Sequence, residues 1–76
     1  MMNNSFVLRM SDQLAARLTH EFGETPADQI RGATRLAFGR LPADEEITVG
    51  AAFINEHGLP AYCRVLFNSN EFLYVD

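Results

Sequence analysis

The chain contains no lysine. All six basic residues are arginines, and ten acidic residues outnumber them to give a net charge of −4. Binding to nucleic acid relies on a basic face that displaces counterions from phosphate, so this balance argues against a nucleic-acid partner. Cys63 is the single cysteine. No internal disulfide can form, and without a CxxC pair there is neither a thiolate zinc site nor an attachment motif for c-type haem. No run approaches the roughly 20 apolar residues that span a bilayer. Residues 1–8 are short and lack a basic head, so they do not read as a secretory signal, and the compartment stays open. Strand alternation, hairpin dipeptides, repeats and low-complexity stretches are missing too. So are a Ser/His/Asp spacing, a phosphate-cradling glycine loop and a zinc motif, which sets the expectation of a protein with no catalytic site and no cofactor.

What is present is a helical period, repeated four times. With 47% hydrophobic residues in 76, the chain can build one small domain, though a thin-margined one. Phe6, Val7, Met10, Leu14, Leu18 and Phe22 fall three or four apart and predict a first helix over residues 6–22, with Asn4 or Ser5 as its cap and Gly23 as its stop. Thr25-Pro26-Ala27-Asp28 combines an N-cap, a proline in the first turn and an acid three residues after the cap, and opens a second helix ending at Phe38-Gly39. Ile30, Ala33 and Ala37 line one side of it and Gly32 and Leu36 another, which places this helix centrally. A third helix starts after Pro42, its first turn carrying Asp44, Glu45 and Glu46 on the positive end of the dipole. Its inner stripe is Ile47, Gly50, Ala51 and Ile54, with Gly50 expected under a neighbouring backbone, and Gly58 ends it. The fourth runs from near Pro60 to about Asn68, with Tyr62, Val65 and Leu66 on one face and Cys63 and Phe67 on another. The expected fold is all-α, a compact small bundle of four helices, the second and fourth most buried, followed by a short apolar tail or turn.

Three stretches together resemble a known family. Asn3-Asn4-Ser5-Phe6-Val7 leads into the first helix, and Arg35-Leu36-Ala37-Phe38-Gly39-Arg40-Leu41-Pro42 leads into Glu45-Glu46. Leu66-Phe67-Asn68-Ser69-Asn70-Glu71-Phe72-Leu73-Tyr74-Val75-Asp76 closes the chain. The set is similar to the extreme C-terminus of the large planctomycete-type proteins that often carry a cytochrome c domain, whose last domain is domain-of-unknown-function family 1553. The closing run is the most specific of the three. The resemblance implies that residues 1–76, read from their periodicity as a single helical domain, are the C-terminal fragment of a larger one. It also implies an exported parent and a structural role closing that parent, without its haem-binding parts. One departure stands out: Ala43 occupies the place where a threonine or serine would open the third helix, so the start must lean on the three acids that follow.

Few residues invite a site. Arg31, Arg35 and Arg40 could clamp an anionic saccharide or phosphate group, the alternative being structural pairs with Asp28 and with Glu45 or Glu46. Arg40, directly after Gly39, is also placed to meet the last carbonyls of the second helix. His20 and His57 lack any metal-ligand spacing and sit in last turns, where histidine favours the helix dipole. Cys63 lies on an apolar face and reads as a core residue rather than a reactive thiol. Phe72, Leu73 and Tyr74 are too apolar for a dangling end: they either seal the bundle, with Ser69 capping the turn through the amides of Glu71 or Phe72, or dock on the parent or another chain. A helical packing module follows, with the rest of a parent or a second copy (a homodimer) as partner, and neither nucleic acid nor membrane.

Overall fold

The structure, a computed structural model, describes residues 5–69. Four α-helices follow one another and no strand occurs among the described residues: α1 (Ser5–Phe22), α2 (Pro26–Phe38), α3 (Asp44–His57) and α4 (Leu59–Phe67). The chain is a small all-α bundle.

α1 turns a slightly different face inward from the one its apolar stripe marks. Val7, Ser11, Ala15 and Leu18 are buried, while Phe6 is 55% exposed. Ser11 can sit in the core because its hydroxyl donates to the Val7 carbonyl at 2.7 Å, leaving no polar atom unpaired. Gly23 stops the helix, and a buried glutamine fixes the corner. Gln29 Nε2 donates to the Gly23 carbonyl at 2.8 Å, and Thr19 Oγ1 lies 3.5 Å from the same nitrogen. Thr25 occupies the N-cap of α2 without a side-chain hydrogen bond there. Asp28, the acid expected in the cap, pairs with Arg31 instead at 2.9 Å. α2 therefore starts on Pro26 and on the Gln29 tie.

Gly39 ends α2 in the left-handed conformation, φ 71° and ψ 21°, with its N–H donating to the Arg35 carbonyl at 3.0 Å. Gly58 alone joins α3 to α4. At φ 93° and ψ 158° it closes one helix and opens the next, a backbone state that disfavours a side chain. α4 begins one residue earlier than Pro60 implies, and that residue, Leu59, is buried.

The helices form a closed ring of contacts: α1 on α2, α2 on α3, α3 on α4 and α4 on α1. No helix is central, which corrects the placement of α2. A helix apolar on two sides is satisfied here by two flanking neighbours. Leu18, Ile30 and Cys63 meet in the middle, with Ala15, Ala33, Ile54, Leu59 and Leu66 around them. The largest buried shares do lie in α2 and α4. Gly50 lies under side chains rather than under backbone: a Cβ there would stand 2.8 Å from Ile30 Cδ1 and 3.2 Å from Tyr62 Cε1. At Gly32 a Cβ would overlap the Phe22 ring. No helix among the described residues is long and apolar enough to cross a membrane.

Candidate functional site

The α2–α3 corner is held by one carboxylate. Glu46, in the first turn of α3, reaches back to accept the Ala43 N–H at 2.8 Å. Arg40 grips the same carboxylate with both terminal nitrogens, at 2.9 and 3.0 Å. Alanine has no side-chain acceptor, so only the glutamate half of a capping box exists, and Glu46 supplies what Ala43 cannot. The Arg40 guanidinium and then the Ala43 N–H hold the Glu46 carboxyl well below the usual carboxylate range, at about 2. Arg40 also lies 5.5 Å above the Phe38 ring, so the last side chain of α2 and the first turn of α3 share one cation.

Below this corner, α3 and α4 diverge and leave an open groove of about 410 Å³. Val49, Gly50 and Phe53 form the α3 wall, Tyr62 and Val65 the α4 wall, and Glu45 and Glu46 stand at its head. Val49 is 64% exposed and Val65 50% exposed. Val65 therefore faces the groove and not the core, as its apolar face in the sequence had implied. Lower in the same two-helix unit, the Phe53 ring packs at a 43° tilt against His57, 4.7 Å between centroids, and His57 Nε2 lies 3.0 Å from Glu56.

The groove offers little to chemistry. Glu46 stays ionised and clamped at neutral pH. Burial first, with the Glu46 carboxylate adding to it, pushes the Tyr62 phenol above its ordinary value, and the Thr34 hydroxyl and Arg40 pull it back. Tyr62 is thus a neutral hydrogen-bonding group near pH 7. Cys63 is fully buried, and burial first, then the charge of Asp12, pushes its thiol up to about 12, so no thiolate is available. No group of three His, Cys, Asp or Glu side chains close enough to hold a metal ion occurs among the described residues.

Two members of the arginine set are engaged in ion pairs. Arg31 is bonded to Asp28, Arg40 to Glu46 and to the Leu41 carbonyl at 3.3 Å, and Arg35 is exposed on the face of α2 that carries Arg31. His20 is exposed at the end of α1, and His57 ends α3. Phe72, Leu73 and Tyr74 lie outside the described residues, as do Glu71 and its amide. Ser69 Oγ donates to the Leu66 carbonyl at 2.9 Å and so closes the end of α4. The α3–α4 groove went unread in the sequence. Val49 sits beside the inner stripe of α3, and only the one-residue Gly58 connection brings it opposite Val65.

No protein-family description, curated protein or solved structure matches the chain.

Proposed function

We propose that this protein is a non-catalytic helical interaction module whose docking surface is the α3–α4 groove and whose occupant, for the isolated chain, is a second copy. The observation that carries the reading is the pair Val49 and Val65, half or more exposed on facing walls above the half-buried Phe53 and Tyr62. Two branched apolar side chains bordering a concavity of about 410 Å³ are a standing gain for any apolar surface that covers them. A two-fold contact would set Val49 and Val65 of one copy against Val65 and Val49 of the other. The clamped state of Glu46 and the buried, protonated state of Cys63 support a binding role over a catalytic one.

The resemblance of residues 66–76 to the C-terminus of family 1553 proteins supplies a second source of occupant, the upstream part of a larger polypeptide. The anionic-ligand reading has less support. Two of its three arginines already hold carboxylates, and a sulfate or phosphate would have to displace Asp28 and Glu46. The test is the solution mass of the protein across concentration, with and without Val65→Asp. A dimer that the substitution returns to monomer supports the reading, and a monomer throughout the accessible concentration range removes it.

A further inference from the structure

The two helices that wall the α3–α4 groove carry a single arginine, Arg64 on α4, and four acids, all on α3. Two of the acids already have partners: Glu46 is gripped by Arg40, and Glu56 lies against His57. Glu45 is exposed at the head of the groove, one turn before Val49. Arg64 is half-buried and adjoins Val65 on the opposite wall helix. Among the described residues, neither Glu45 nor Arg64 takes part in an ion pair or a side-chain hydrogen bond. We propose that Glu45 of one copy pairs with Arg64 of the other, twice across the two-fold contact, and that these pairs make a second copy the favoured occupant. The inference rests on the reading of the groove as a docking surface for a second copy.

Symmetry supplies the first argument. A two-fold axis that sets Val49 against Val65 lays α3 of each copy along α4 of the other. Gly58 turns α4 back along α3, and Glu45 and Val65 line the same groove, so the head of α3 and the last turn of α4 share one end of it. The first acid met toward that end from Val49 is Glu45, and the last-turn cation of α4 is Arg64. Glu45 stands about 6 Å along its helix from Val49, a span that the long stem of an arginine covers. Charge supplies the second. Each copy has a net charge of −4, so two copies repel, and an apolar contact between them needs opposite charges at its rim. Rim pairs of this kind fix register and exclude wrong partners more than they add affinity. An apolar surface without a cation beside its apolar patch leaves Glu45 unmatched, whereas a second copy matches both charges at once.

The test is a charge exchange, read by sedimentation equilibrium of the full chain. Glu45→Arg and Arg64→Glu each bring like charges together twice in a homodimer. Each is expected to weaken the dimer at least about tenfold at low salt, and less at high salt. An equimolar mixture of the two variants meets with opposite charges at both places and is expected to dimerise as the wild type does. The helical circular dichroism of each variant is expected to stay unchanged. If a reversal lowers it, Glu45→Gln, Arg64→Gln and their double variant carry the same test, the double variant weakening the dimer no more than either single one. A mixture that stays monomeric overturns the pairing. So does a dimer that Val65→Asp dissociates but neither reversal weakens, and that result leaves the groove standing as the docking surface. A wild-type chain that is monomeric at every concentration overturns both.

Discussion

α2 and α3 are nearly equal in length, 13 and 14 residues, and both end on a glycine of positive φ. They serve opposite ends. α2 buries five residues, two of them polar, and each polar one is tied to a carbonyl: Gln29 to Gly23, Thr34 to Ile30. α3 buries only Gly50 and Ile54 and turns Val49 outward. The same residue type makes both possible. Gly32 of α2 admits the Phe22 ring from α1, whereas Gly50 of α3 admits the tips of Ile30 and Tyr62. One face of the bundle is thereby closed and another left open, with comparable sequence composition, because a helix is buried by what its neighbours insert into it and not by its own apolar count.

The comparison can be broken most forcefully at Gly32. Gly32→Ala places a methyl on the Phe22 ring and is expected to cost about 2 kcal/mol, even after the helix-propensity gain of alanine. Gly50→Ala meets the flexible end of Ile30 and is expected to cost less than about 1 kcal/mol. Urea unfolding of the two variants checks the order, and equal losses would contradict it. At the start of α3, Ala43→Ser supplies the acceptor that the N-cap lacks and should stabilise by about 1 kcal/mol in the same assay.

Glu46→Gln tests the corner from the other side. The Glu46 carboxyl is lowered in the folded chain from 4.5 to about 2. Its contribution is therefore fully present above about pH 4.5 and lost as pH falls toward 2. Arg40 and Glu46 are both more than a third exposed, so solvent screening holds that contribution to about 1 kcal/mol. The wild type should exceed Glu46→Gln in stability by this amount at pH 7 and converge on it near pH 2. A constant gap across that window would mean that the carboxylate charge plays no part. The smallest stability effect is expected at Val65→Asp, within about 0.5 kcal/mol of wild type at dilutions where both chains are monomeric, because the side chain then stands in the open groove.

Most of the helical framework was legible in the sequence because its punctuation is local. Gly23, Gly39 and Gly58 stop helices, and Pro26 and Pro60 sit in first turns, all within reach of nearest-neighbour reasoning. Side-chain partners were harder to read. Ser11 and Thr34 look polar in a string of letters, yet each satisfies its hydroxyl on the carbonyl four residues back and enters the core. Thr25 looks like a cap and makes no capping bond, since the corner is fixed by Gln29. The pairing of Arg31 with Asp28 was readable from helical spacing, while for Arg40 the sequence left Glu45 and Glu46 open and the fold selects Glu46. The α3–α4 groove was not, because Val49 and Val65 lie sixteen positions apart and meet only through the fold around Gly58.

The central claim is that the open side of α3 is a docking surface, and the solution mass tests it most directly. Light scattering of the wild-type chain over a wide concentration range, beside Val49→Asp and Val65→Asp, should show a dimer that both substitutions dissociate while the helical circular dichroism stays the same. A wild-type monomer at every concentration, or a dimer indifferent to both substitutions, would contradict it.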